Sequence, residues 1–198
     1  MKKGRLEAFS DGVIAIIITI MVLELKIPEG THWEDLKPLL NVFLCYILSF
    51  INIGIYWNNH HHLLHATEKV TGSILWANMH LLFWLSLMPF VTAWMGENHF
   101  SALPVAVYGG DLVLCAIAYY ILQTFILKEH SKNSPFVKAL GKDLKGKISP
   151  VLYLIAIPLA FVNAWISGVL YVTVALIWLI PDKRIERALS EKRTKESG

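Results

Sequence analysis

The apolar residues of this chain fall in blocks about as long as a bilayer is thick, and short stretches between them hold the turn formers and most of the charge. A hydrocarbon core about 30 Å thick takes about 20 helical residues to cross, whereas a helix on a soluble domain shows only an apolar stripe. No water reaches that depth, so each block must satisfy its own backbone hydrogen bonds, and a helix does so. Of 198 residues, 55% are hydrophobic and 17% charged, outside the usual balance of a soluble domain. The fold class expected is an all-α integral membrane protein.

Six spans of roughly membrane length are expected, near 6–25, 39–61, 74–94, 105–127, 148–163 and 167–181. Turn formers separate them: Pro28-Glu29-Gly30, Thr71-Gly72-Ser73, Gly96-Glu97-Asn98, Asn133-Ser134-Pro135 and Ser167-Gly168. With the N terminus inside, only Lys26 and Lys37 of the 18 basic residues fall outside. The positive-inside rule therefore favours an even number of helices and both termini cytoplasmic, and the location expected is the plasma membrane, crossed several times. One long helix over 148–180 would put the basic tail outside, so two short helices are expected there. Residues 1–181 form the expected membrane domain and 182–198 a charged cytoplasmic tail, with a short helix over Asp182–Leu189. The lysines of 128–147 read as an orientation signal that touches anionic lipid rather than as a nucleic-acid site.

Met1-Lys2-Lys3-Gly4-Arg5 before an apolar run resembles a secretory signal. No small-x-small cleavage pattern follows, and Glu24 and Lys26 close the segment, so it reads as a retained helix. Cys45 and Cys115 lie inside apolar blocks and read as buried small hydrophobes rather than a disulfide or metal pair.

Polar residues gather at one depth. Arg5, Ser10 and Asp11 lie in the inner third of helix 1, and helix 2 descends to Trp57-Asn58-Asn59-His60-His61-His62 at the same level. Asn78 and His80 stand in the first turns of helix 3. A carboxylate in lipid needs donors, which indole, imidazole and amide groups supply. One network is expected, with Arg5 and Asp11 held by members of the set Trp57, His61 and Asn78. It either locks helix 1 to helices 2 and 3 or also orients helix 1 along a pathway.

His61 and His65 at i, i+4, and His62 and His65 at i, i+3, have the spacing of a metal pair, but His32, His80, His99 and His130 are scattered over other loops and depths. No cofactor is indicated, and nucleophile-elbow, phosphate-loop and dinucleotide signatures are missing. Gly109-Gly110-Asp111 places a second carboxylate near the outer end of helix 4; it reads as close packing with a solvated or capped Asp, or as an outer ion vestibule. Pro89 and Pro158 are expected to kink helices 3 and 5.

Helix 1 is apolar all round, and its inward face is chosen by Asp11. The stripe on that side runs through Ile16, Ile20 and Leu23 with Thr19 beside it. Repeated over several subunits, it would form a hydrophobic constriction with one hydroxyl layer. Taken alone, the same stripe also suits core or lipid contact.

Arg5-x-x-x-Phe9-Ser10-Asp11, followed by Gly12-Val13-Ile14-Ala15-Ile16 and Thr19-Ile20-Met21-Val22-Leu23, resembles the helix 1 signature of bacterial channels of the transmembrane protein 175 family. Trp57 with its adjacent histidines, and Asn78 through Pro89-Phe90-x-Thr92, are similar to that family too. The resemblance implies a potassium-permeable homotetrameric channel with one six-helix unit per chain and helix 1 lining the pore. It implies that Ile16, Ile20 and Leu23 form the constriction, that Thr19 affects selectivity, and that Arg5, Phe9, Ser10 and Asp11 hold the packing network. No metal other than permeant potassium is implied. Isoleucine at 16 and 20, where leucine is also common in the family, makes a stiffer ring.

The residues agree where they speak. A Thr-Val-Gly-Tyr-Gly filter loop and an arginine ladder are both missing, so a channel here would be lined by side chains and modestly selective. The alternatives are a proton- or cation-coupled secondary transporter and a histidine-metal membrane enzyme; the first expectation is a non-enzyme. Paired repeats and broken midplane helices, which mark transporters, are not clear in the chain.

Overall fold

The computed structural model describes residues 2–67, 69–130, 137 and 144–179. The tail 182–198, its expected helix Asp182–Leu189 and the turn at 133–135 lie outside the described residues.

The described residues form helices and turns, with no strand among them. Helix α1 spans Lys3–Leu23; a short 3₁₀ helix, Trp33–Leu39, leads into α2, Leu40–Ala66. Then come α3 (Gly72–Leu85), α4 (Met88–Glu97), α5 (Ala102–Lys128), α6 (Leu144–Ala160) and α7 (Ala164–Leu179). Lys3–Leu23, Trp33–Ala66, Gly72–Glu97 and Ala102–Lys128 are each long and apolar enough to cross a membrane. The shorter α6 and α7 form the expected closing hairpin and pack on each other. In α1 the β-branched run Ile16-Ile17-Ile18-Thr19-Ile20 is a poor helix former in water. In lipid the backbone has no other way to satisfy its polar groups, so the helix forms regardless.

Contacts at the helix ends give an up-and-down bundle. At one end Lys3 Nζ donates to the His65 carbonyl, His130 Nε2 meets the Ala66 carbonyl at 3.0 Å, and Lys145 Nζ donates to Ile177 O at 3.0 Å. At the other end Lys26 pairs with Glu97 at 2.7 Å, Asn41 meets His99 Nδ1 at 3.1 Å, and Phe100 stacks on Trp165. The Glu97 carboxylate, bonded to the ammonium, raises the pKa of Lys26. Helix α5 is central, packed against α3, α4, α6 and α7; α1 rests on α2, α3 and α4.

Two boundaries differ from expectation. The third span breaks at Ser86-Leu87 rather than bending at Pro89, which occupies the first turn of α4. Proline has no N–H for the Leu85 carbonyl, and the first turn of a helix is where that loss costs least. The closing turn lies at Phe161-Val162-Asn163, not at Ser167-Gly168. Asn163 Oδ1 accepts from the Trp165 N–H at 3.0 Å, opening α7 there. Ser167 and Gly168 are buried inside α7, where Ser167 donates to Ala156 O at 2.7 Å and Gly168 faces the Phe100 ring. Small residues let α6 and α7 approach closely, which explains a turn-like dipeptide in mid-helix. Helix α6 runs on through Pro158 and ends at Ala160.

Candidate functional site

Helix α1 presents two opposed faces. Leu6, Ser10, Ile14, Ile17 and Met21 are buried against the bundle, at the four-then-three spacing that keeps one side of a helix inward. Ile16 is 58% exposed, Ile20 41% and Leu23 79%, and Thr19 is exposed with them. The Thr19 hydroxyl donates to Ile16 O at 2.8 Å, so its one proton is used within the helix and its oxygen is the polar atom shown outward. Beside this stripe, Val13, Ile16, Ile17 and Ile20 face Pro89, Phe90 and Trp94 of α4 across a groove closed by Glu24 and Glu97.

What holds α1 at that rotation is polar and sits at one height. By helical rise, Ser10 and Asp11 on α1, Trp57 and His60 on α2, and Asn78 on α3 all stand about 9 to 14 Å from the same end of the bundle. Asn78 Nδ2 donates to Ser10 Oγ at 3.0 Å, and its Oδ1 lies 2.7 Å from His60 Nε2. Ser10 donates in turn to Leu6 O at 2.9 Å. All three side chains are buried. On the outward side Trp57 Nε1 donates to Asp11 Oδ1 at 3.0 Å.

The expected network is thus only partly the one found. Asp11 is held by Trp57, but Asn78 bonds Ser10 rather than Asp11 or Arg5, so two separate links stand where one network was expected. His61 is not the buried imidazole: His60 is, because it lies seven residues after buried Ile53 and three before buried Leu63 on the inner face of α2. His61 is exposed; its ring tilts against Trp57 at 6.2 Å and stacks on His65 at 6.1 Å. The Arg5 side chain is exposed and makes no hydrogen bond or ion pair among the described residues, and Phe9 is half-exposed. No group of three or more metal-ligating side chains occurs among the described residues.

A second buried polar layer was not anticipated. Thr92 of α4 donates to Ser49 Oγ at 2.7 Å, Ser49 meets the Tyr108 hydroxyl at 3.0 Å, and Asn52 Nδ2 donates to the same hydroxyl at 3.3 Å. The signal was present in α2, where Ser49, Asn52, Tyr56 and Asn59 form one polar stripe at helical spacing. Asp111 also departs from expectation. It is neither solvated nor capped but 5% exposed, and neither carboxylate oxygen has a hydrogen-bond partner among the described residues. Close packing does hold at its neighbour Gly109, where a Cβ would fall 2.1 Å from the Tyr171 hydroxyl.

Residues 5–89, which contain α1 from Arg5 onward, the whole Ser10–Asn78–His60 chain and the Asp11–Trp57 bond, match the family model described as endosomal/lysosomal potassium channel TMEM175. A protein named as a potassium channel from Chryseobacterium sp. (strain P1-3) is 58% identical over 191 residues, 96% of this chain and 100% of that protein. Another so named, from Chamaesiphon minutus (strain ATCC 27169 / PCC 6605), is 32% identical over 184 residues, 85% of this chain and 90% of its own length. The fold is similar to the crystal structure of a lysosomal potassium-selective channel TMEM175 homolog from Chamaesiphon minutus, with a TM-score of 0.74 and 29% identity over 90% of this chain and 96% of that one.

Proposed function

The chain belongs to the TMEM175 family, and from that membership we propose that it is a potassium-permeable cation channel of the plasma membrane, assembled as a homotetramer around α1. The observation that carries the reading is the outward stripe of α1. Ile16, Thr19, Ile20 and Leu23 stand exposed along a helix whose opposite face is anchored by buried side chains and hydrogen bonds. Lipid would tolerate such a stripe, but lipid contact alone gives no reason for a polar brace that fixes its direction. Brought together by several subunits, the three aliphatic positions form a constriction that gates by dewetting, and Thr19 adds one oxygen layer to a path with no carbonyl cage. Ser10, Asn78 and His60, together with the Asp11–Trp57 pair, form the brace, and Arg5, Phe9 and His61 stand exposed beside it. Residues 1–181 make the membrane domain, residues 182–198 a cytoplasmic tail, and both termini face the cytoplasm, as the distribution of lysine and arginine favours.

Reconstitution of the full chain in planar bilayers under a potassium gradient tests the proposal. Single-channel currents, together with a four-chain species after cross-linking in the membrane, are expected. Stoichiometric flux coupled to protons or sodium at transporter turnover rates, or a chain that stays monomeric in lipid, would overturn it.

A further inference from the structure

Asp111 is the tenth residue of α5 and lies near the middle of the bundle, with both carboxylate oxygens buried and unbonded among the described residues. The groups around it are neutral. Tyr108 and Cys115 of its own helix and Tyr56 of α2 lie within reach of its charge. Tyr153 of α6 is next to Tyr56, and Tyr171 of α7 is 5.5 Å from the Tyr108 ring. The Tyr108 and Tyr171 hydroxyls are engaged elsewhere, with Ser49 and Asn52 and with Val105 O. On the remaining neighbours, His80 of α3 accepts from Trp84, and Glu97 of α4 pairs with Lys26 at the bundle end. An ionised Asp111 would therefore have neither counter-charge nor donor in this packing, and a buried charge so placed is strongly disfavoured against its protonated form.

A cavity of about 100 Å³ lies between α2, α5, α6 and α7, and Ala116, five residues after Asp111, is among the α5 residues that line it. Asn52, Tyr56 and Tyr153 line its deep part; Gln123 and Lys147 line the part toward the end of the bundle that holds Lys3. Polar partners and room for more than one water make it a wettable space. Tyr56 lines the cavity and lies within reach of the Asp111 charge.

We propose that Asp111 is an internal proton-binding site, separate from α1, which keeps its carboxyl proton in the packed bundle and exchanges it with water entering through this cavity. On release the Asp111 O–H bond breaks and the proton joins a cavity water as hydronium. The carboxylate left behind must then be hydrated from the cavity, which loosens the packing of α2, α5 and α6. Because an ionised Asp111 has no partner among the described residues of the packed bundle, its deprotonation costs packing, and the bundle is expected to lose stability as pH rises above the ordinary carboxylate range.

Infrared spectra of the full chain in lipid vesicles test the site. A protonated-carboxyl band at neutral pH is expected in the wild type, shifted by carbon-13 aspartate labelling and absent from Asp111→Asn. As pH is raised from about 4, the ordinary carboxylate value, the wild-type melting temperature is expected to fall and that of Asp111→Asn to change less. Filling the cavity with Ala116→Trp is expected to slow deuterium exchange of that carboxyl several-fold. A labelled wild type without the band, a band that persists in Asp111→Asn, equal pH dependence of melting, or unchanged exchange in Ala116→Trp would overturn the proposal. The labelled wild type alone decides the protonation state should either variant fail to fold.

Discussion

Trp57 and Asp11, 46 residues apart in the chain, are joined by one hydrogen bond, from the indole Nε1 to the carboxylate Oδ1 at 3.0 Å. It ties α1 to α2 at the height where Asn78 ties α1 to α3 through Ser10. Apolar packing alone leaves a helix free to turn slightly about its axis, because many side-chain arrangements fill the same space. Two directional bonds at one height remove that freedom and so determine which residues of α1 face away from the bundle. The acid at the mouth of α1 is in this sense an orienting group.

That role separates assembly from selectivity. Asp11→Ala is expected to lower the yield of assembled protein and to leave the ion preference of any residual current unchanged. A double-mutant cycle of Asp11→Ala with Trp57→Phe, read from thermal unfolding, is expected to give a coupling of about 0.6 to 2 kcal/mol, the range of side-chain hydrogen bonds within membranes. A well-folded assembly with altered ion preference would contradict the assignment.

The Ser10–Asn78–His60 chain is buried throughout, so removing its middle member should cost more than removing an exposed amide. Asn78→Leu leaves the His60 imidazole and the Ser10 hydroxyl without their partner, a loss of about 1 to 3 kcal/mol. The melting temperature should then fall by about 2 to 4 °C for each kcal/mol lost. Asn58→Ala, on an exposed part of α2, is expected to stay within about 0.5 kcal/mol of the wild type.

Much of this arrangement was legible in the sequence because the bilayer imposes length and charge rules that act residue by residue. The six spans came from apolar block length, and the side chains able to hold Asp11 from matching depth on adjacent helices, although Asn78 bonds Ser10 rather than Asp11 or Arg5. Rotation was less legible. Choosing between His60 and His61 needs the buried face of α2, and a helix apolar on all sides hides that face until its neighbours are in place. The Ser167-Gly168 dipeptide misled for a related reason: small residues serve turns in water but close helix approach in lipid, and local composition does not distinguish the two. The Asp111 environment depends on four helices meeting around it, which no local pattern encodes.

Close approach at Gly109 gives a sharp contrast with the glycine beside it. A Cβ at Gly109 would fall 2.1 Å from the Tyr171 hydroxyl and 3.2 Å from Ile157 Cγ1, whereas at Gly110 nothing lies within 4 Å. Gly109→Ala should therefore push Tyr171 off the Val105 carbonyl, to which it donates at 3.0 Å, and lower the melting temperature clearly. Gly110→Ala is expected to be neutral, or stabilising by up to about 1 kcal/mol from helix propensity. Adding Tyr171→Phe to Gly109→Ala should recover part of the loss, since the nearest clashing atom is the hydroxyl oxygen. Equal effects of the two glycine substitutions on melting would contradict the packing described.

The two faces of α1 should respond oppositely to the same chemical change. Asparagine at Ile16 or Leu23 places an amide on the exposed stripe, where it lowers the free energy of hydrating a narrow apolar passage. In reconstituted protein these variants are expected to raise potassium flux several-fold and to fold normally. Asparagine at Ile14 or Ile17, which are 1% and 3% exposed, leaves an amide without partners in the core and costs about 1 to 3 kcal/mol or more. Those variants should lose folded protein and gain no flux. Thr19→Val removes the only oxygen on the stripe while keeping its shape, so it is expected to change the potassium-over-sodium ratio more than the total current. Currents unchanged in both Ile16→Asn and Leu23→Asn would mean that this face of α1 does not line the path, and a folded Ile14→Asn with raised flux would mean that the opposite face does.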